Sequence, residues 1–151
     1  MFQADPLDNC ALSRGMTFKN SIAGLNIGGG KAVIIGDAKK IKSEKLMRRF
    51  GKFVNGLGGQ YWTAEDVNMT IQDMEYIRME TPYVAGLSEK NGGSGDPSPV
   101  TAYGVYCAMK ACAKTVYGSD TLAGKKILVQ GLGNVGSHLI ELLIQDKAHV
   151  L

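Results

Sequence analysis

The chain has 151 residues, and 17 Lys and Arg against 14 Asp and Glu leave a net charge of +3. That length allows an ordinary folded domain with a real core, and so small and dispersed a positive balance argues against a nucleic-acid partner. No apolar run approaches the roughly 20 residues of a membrane span, and the first residues lack the basic-then-apolar order of a signal peptide.

Three cysteines, Cys10, Cys107 and Cys112, have neither metal-ligand spacing nor an even count. Reduced thiols in a cytoplasmic protein, with no metal site, are the expectation. The 20 glycines cluster near positions 24–36, 56–59, 92–95 and 131–136 rather than scatter. Such clustering points to several close approaches of backbone to a ligand.

Along the chain, a short helix is predicted around Leu7–Arg14, followed by Gly15-Met16-Thr17-Phe18-Lys19-Asn20. Next comes Gly28-Gly29-Gly30-Lys31, where three residues without Cβ atoms bring bare backbone close to whatever binds. Ala32-Val33-Ile34-Ile35 reads as a buried strand behind it. A lysine there would stand at the mouth of a cleft with one apolar wall, a setting suited to proton transfer. An ordinary glycine turn with a solvent-facing lysine is the competing reading. Asp37–Lys42 is expected to be a charged turn.

A helix is predicted from Ser43, with Leu46, Phe50, Phe53 and Leu57 as its apolar stripe and Glu44 facing Arg48. Gly56, Gly58 and Gly59 end it, and Gln60-Tyr61-Trp62 is β-prone. Thr63-Ala64-Glu65-Asp66 and Thr70-Ile71-Gln72-Asp73 both fit a helix capping box. The apolar positions Ile71, Met74 and Ile77 begin only after the second, which leaves the Asp66 carboxylate free for other work.

The turn-rich residues 89–99 lead into a helix over 100–117, with Ser98 as N-cap, Pro99 in the first turn and Gly118 just past the end. Gly104, Cys107 and Ala111 give that helix one small-residue face, suited to close packing. A strand over 125–130 is followed by Gly131-Leu132-Gly133-Asn134-Val135-Gly136, then a helix with Val135, Leu139, Leu142 and Leu143 inward, and another strand from Ala148. Strand, GxGxxG, helix and strand in about 30 residues is the context that makes the glycine pattern a dinucleotide-binding signal. The first glycine makes the turn, the second admits a pyrophosphate, the third lets helix meet strand, and the helix N-terminus attracts the phosphates. The acidic residue that would contact the ribose is expected beyond Leu151, so the chain reads as a piece of a longer protein.

Five motifs, in this order, resemble the amino-acid dehydrogenase family that includes the glutamate, leucine, phenylalanine and valine enzymes. They are Gly15–Asn20, Gly28–Lys31, Thr63–Val67, Gly95–Val105 and Gly131–Gly136. The resemblance runs from about Leu12 to the last residue and is nearest to the leucine branch. It implies an α/β protein: a substrate and dimerisation domain (1–97) with a mixed sheet and flanking helices, a connecting helix (98–118), and the start of a doubly wound, NAD-binding Rossmann domain (119–151), with a cleft between the domains.

The same resemblance implies NAD as cofactor, a small amino acid, its 2-oxo acid and ammonia as partners, and a homo-oligomer. It makes Lys31 and Asp66 catalytic, Lys31 polarising the carbonyl or holding the attacking water and Asp66 acting as acid and base. Lys19 would bind the substrate carboxylate, with Met16, Gly29 and Ala64 also at the substrate. Thr101 would lie near the nicotinamide amide, and Gly131, Leu132, Gly133, Asn134, Val135, Gly136 and Ser137 would hold the phosphates. Ala38 stands where the family commonly has proline, and Gly136 where the leucine branch often has alanine. A branched-chain aliphatic substrate is the first expectation, with phenylalanine, valine and glutamate next. A non-catalytic nucleotide-binding or assembly fragment is the alternative of a different class.

Overall fold

The fold is that of a computed structural model, which describes residues 6–151. The chain forms two compact units, one ending at Gly95 and the other running from Asp96 to Leu151.

In the first unit, helix α1 spans Pro6–Ile22. It is far longer than the predicted 7–14, because Gly15 does not interrupt it and the motif that follows is its last turns. The stop signal is Gly24, at φ 73°. The Gly24 N–H donates to Ser21 O at 3.1 Å and the Leu25 N–H to Asn20 O at 2.9 Å, a Schellman ending that satisfies the last carbonyls.

The Ala32–Ile35 run is not a strand, and Val33, Ile34 and Ile35 are 42%, 37% and 65% exposed. A strand is held by the backbone ladder of a neighbour, and no described segment pairs with this one. The apolar wall expected behind Lys31 is therefore not formed by these residues. The charged turn after it is a single helical turn, α2 (Ala38–Ile41), capped by the Asp37 carboxylate, which accepts from the Lys39 N–H at 3.1 Å.

Helix α3 (Glu44–Gly56) starts at Ser43, whose hydroxyl accepts from the Leu46 N–H. Its buried residues are Met47, Gly51 and Val54, whereas the predicted stripe is only partly covered and Phe53 and Leu57 are exposed. Gly51 accounts for the difference. A Cβ there would stand 2.8 Å from the Ile77 carbonyl oxygen, so α3 turns its bare position to helix α4 (Ile71–Arg78). Arg48 reinforces the pair, its guanidinium 2.7 Å from Glu80 and 3.3 Å from Glu44.

Met47, Met74, Ile77, Val84 and Leu87 form the core of this unit, with Leu46, Phe50, Met69 and Tyr76 against it. The β-prone stretch contributes one parallel bridge, Thr63 to Val84. There the Thr63 N–H donates to Tyr83 O and the Ala85 N–H to Thr63 O. Trp62 stays exposed, edge-on to Tyr83. The Glu75 carboxylate ties down the loop that follows by accepting from Ser88 and Asn91.

In the second unit, α5 spans Ser98–Tyr117 and ends at left-handed Gly118, as predicted. Its start is shifted: Pro97 occupies the cap position, and the Asp96 carboxylate accepts the Ser98 N–H at 2.8 Å. Gly104, Cys107 and Ala111 are exposed, contrary to expectation. The buried face carries Ala102 and Ala113, flanked by Tyr106 and Met109. Small residues lie all round this helix, so its sequence does not single out one face; the partner helix does.

That partner is α6 (Asn134–Gln145), which buries Leu139 and Leu143 with Val135 and Leu142 beside them, as predicted. Strand β1 (Lys126–Ile127) lies parallel to β2 (His149–Val150), with Lys126 opposite His149. Ladder bonds extend on either side, from Gly124 N–H to Lys147 O and from Val129 N–H to Leu151 O. Ile127, Val129 and Val150 face the helices, while Leu128 points away and is exposed. This is an α/β chain with a small parallel sheet. The mixed sheet expected in 1–97 is not formed by the described residues there, whose one bridge is Thr63 to Val84, because no second extended segment pairs with it.

Candidate functional site

The glycine run lies against α1 at Ser13 and Thr17. A Cβ on Gly29 would overlap the Ser13 carbonyl oxygen and the Thr17 amide nitrogen, and one on Gly30 would stand 2.8 Å from the Tyr61 ring. Gly28 is held by its carbonyl, which accepts from the buried Asn20 Nδ2 at 2.7 Å. Two of the three glycines therefore serve contact with the protein's own chain. The effect is to fix the backbone immediately before Lys31.

Lys31 makes an ion pair with Asp66, whose Oδ2 faces its ammonium. The side chains are 24% and 50% exposed, so the pair sits at the surface of the unit and not in its core. An ion pair this open is worth at most about 1 kcal/mol of stability. Both groups remain accessible to a small molecule. Asp66 lies in a loop, as expected: its Oδ1 accepts its neighbour Val67 N–H at 2.8 Å, and its carbonyl accepts the Met69 N–H at 2.9 Å. The helix beyond begins at Thr70, in a reciprocal capping box with Asp73.

Lys42 closes this loop from outside. Its ammonium donates to the Asn68 carbonyl at 2.9 Å and to Asp73 Oδ2 at 2.8 Å. Burial alone would push the Asp73 carboxyl up, but bonds from Lys42 and from the Thr70 hydroxyl and N–H outweigh it. The net effect holds Asp73 below the ordinary aspartate range.

Of the other residues expected at the substrate, Lys19 is exposed on the last turn of α1, Met16 is half-buried one turn earlier, and Ala64 is exposed before Asp66. In the second unit, Thr101 is exposed in the first turn of α5, its N–H donating to Pro97 O. Gly131 turns at φ 97°, and Leu132 beyond it is exposed. Gly133 caps α6 with no side-chain bond to the helix, and space is open where its Cβ would be. Asn134 is the first residue of α6 and is exposed; Val135 turns into the core. A Cβ on Gly136 would overlap the Gly131 carbonyl oxygen. Ser137 bonds back to the turn, N–H to Gly133 O and hydroxyl to Leu132 O. Helix α6 thus presents a first turn beside an open backbone.

A family model described as the Glu/Leu/Phe/Val dehydrogenase dimerisation domain matches residues 3–83, and one described as Glutamate/Leucine/Phenylalanine/Valine dehydrogenase matches residues 92–151. The chain belongs to the Glu/Leu/Phe/Val dehydrogenase family. It is 56% identical over 144 residues to the leucine dehydrogenase of Geobacillus stearothermophilus, a match covering 95% of this chain and 39% of that protein. It is 51% identical over 140 residues to the valine dehydrogenase of Streptomyces virginiae, covering 93% and 39%.

Among solved structures, the L-tryptophan dehydrogenase from Nostoc punctiforme aligns at a TM-score of 0.65 and 40% identity, covering 95% of this chain and 40% of that one. The glutamate dehydrogenase from Peptoniphilus asaccharolyticus aligns at 0.69 and 30%, covering 93% and 39%. The chain therefore spans about two-fifths of the length of these dehydrogenase-family relatives.

Sequence reasoning missed Asn20, Tyr61 and Lys42. Gly24 signals the helix end at which Asn20 stands, but not the bond from its side chain to Gly28. Tyr61 and Lys42 carry no local signal. Each acts on a segment distant in the chain, and Lys42 stands in a lysine-rich stretch with nothing to single it out.

Proposed function

We propose that the whole protein is an NAD-dependent amino-acid dehydrogenase that converts a branched-chain L-amino acid such as leucine, reversibly, into its 2-oxo acid and ammonia. The observation that carries this reading is the accessible Lys31–Asp66 pair, set between the glycine run and the Thr63–Val67 loop. Family membership and the identity to leucine dehydrogenases support the substrate class.

The residues of the second unit fit a dinucleotide. Gly133 leaves room for a pyrophosphate to approach, the first turn of α6 has no side-chain cap, and Gly136 allows the turn and helix to close up. Residues 119–151 are read as the first βα unit and the start of the second strand of a Rossmann domain, 98–118 as the connecting helix and 1–97 as the substrate and dimerisation domain. Gly131 to Ser137 would hold the phosphates, and Thr101 would lie near the nicotinamide amide. Bound there, NAD supplies the acceptor for the hydride that leaves the amino acid's Cα.

The chain's own residues do the rest. Lys19 takes the substrate carboxylate as a counter-charge, with Met16, Gly29 and Ala64 around the substrate. Lys31 stabilises negative charge on the oxygen of the attacking water and then of the carbonyl. Asp66 accepts a proton as water adds and returns one as ammonia departs. Amino acid, water and oxidised cofactor thus give oxo acid, ammonia, reduced cofactor and a proton. The whole protein is read as a cytoplasmic homo-oligomer, and the isolated 151-residue chain as inactive.

A substrate panel on the whole protein with NAD and NADP tests this reading, alongside Lys31→Ala. That variant is expected to lose about a hundredfold or more in kcat, the scale for removing one electrostatic or acid–base group. Its melting temperature should hardly move. A kcat within about threefold of the parent would make Lys31 a surface lysine and end the proposal.

A further inference from the structure

We propose that Lys42 is a positioning residue for the Lys31–Asp66 pair: its ammonium fixes the loop carrying Asp66 against the segment carrying Lys31. The inference rests on the acid–base reading of that pair.

Lys42 directly follows α2, at the end of the segment that begins with Lys31, and its own N–H is fixed to the Ala38 carbonyl at 3.1 Å. Its side chain crosses to the Asp66 loop, where it donates to Asn68 O and Asp73 Oδ2. Two of its three ammonium protons are therefore engaged. Both bonds are charge-assisted, and Lys42 and Asp73 are largely covered, which strengthens them.

Asn68 is the sensitive point. It lies two residues past Asp66 with φ at 63°, in the left-handed region that asparagine adopts more readily than other non-glycine residues. The bond from Lys42 to its carbonyl fixes the position of that turn. Lys42 is not needed to start α4, because Thr70 and Asp73 already cap each other there. Beside its bond to Asp73, Lys42 ties Asn68, in the loop that the Met69 N–H already closes on the Asp66 carbonyl, and so bears on the placement of Asp66. A misplacement of about 1 Å at a reacting group is enough to slow a reaction about a hundredfold.

The test uses the whole protein with Lys42→Met, which keeps the apolar stem, and Lys42→Arg, which restores the charge and donors. Lys42→Met should lower kcat by about tenfold or more, leave the amino-acid KM within about twofold, and speed hydrogen exchange at the Met69 amide. Exchange at Met74 and Ile77 within α4 should not change, and Lys42→Arg should recover most of the kcat. Unchanged kcat with Lys42→Met overturns the proposal. So does a loss accompanied by faster exchange throughout α4, or one that Arg fails to recover, since either outcome makes Lys42 a general stabiliser. If Lys31→Ala keeps the parent kcat, the acid–base reading fails on its own account. Unchanged Met69 exchange in Lys42→Met would still refute the anchoring.

Discussion

The two glycine clusters use the same residue for opposite purposes. In the 28–30 run the missing side chains let the chain press on itself, Gly29 against the α1 backbone and Gly30 against the Tyr61 ring, and the product is a fixed lysine. In the 131–136 turn Gly136 also closes on its own chain, but Gly133 faces open space at an uncapped helix start. The first cluster presents a side chain and the second presents backbone. Glycine spacing alone does not distinguish the two; what stands opposite each missing Cβ does.

The largest expected effect separates presented side chains by role. In the whole protein, Asp66→Asn should lower kcat by about a hundredfold or more, because it keeps the shape and removes the base. Lys19→Ala should chiefly raise the amino-acid KM, because a carboxylate clamp acts in ground and transition states alike. Steady-state kinetics on the two variants would show the split, and an Asp66→Asn enzyme with altered melting temperature but unaltered kcat would return that residue to a structural role.

Next come the glycines themselves. Gly29→Ala forces a methyl group into the α1 backbone and should destabilise the protein by about 1–3 kcal/mol, measured by denaturant unfolding. Gly133→Val enters open space and costs only the poorer N-cap, so its stability should fall by no more than about 1 kcal/mol while the KM for NAD rises. If both variants shift stability equally, the contrast between the clusters is lost.

The smallest effect concerns the loop behind Asp66. Thr70→Ala should cost about 1 kcal/mol through loss of the α4 cap. Asp73 is held below its ordinary value of 3.8, so its native carboxylate favours the folded state above that value. That contribution disappears as pH falls below 3.8 and through the lower native value. Unfolding curves taken across this acid range should show the parent losing stability more steeply than an Asp73→Asn variant.

Local chemistry determined much by sequence alone. Ser43 and Thr70 start helices because a hydroxyl can satisfy the free N–H groups of the first turn. Gly118 ends one because it adopts the left-handed conformation without strain. Leu139 and Leu143 lie inward because their helical spacing puts them on one face, and Asp66 stays in its loop because the second capping box claims the helix. The tertiary structure decided what depends on a neighbour distant in the chain. The Ile34 region has strand-forming residues but no described partner to ladder with, so it forms no strand and stays exposed. Helices α3 and α5 each carry more than one face able to pack, and the buried one was chosen by Ile77 opposite Gly51 and by α6 opposite Ala102 and Ala113. The meeting of Lys31 with Asp66 was decided in the same way. Neither residue's neighbours in sequence encode the other; the two stand on separate segments, one bonded to Asn20 through Gly28 and the other to Lys42 through Asn68.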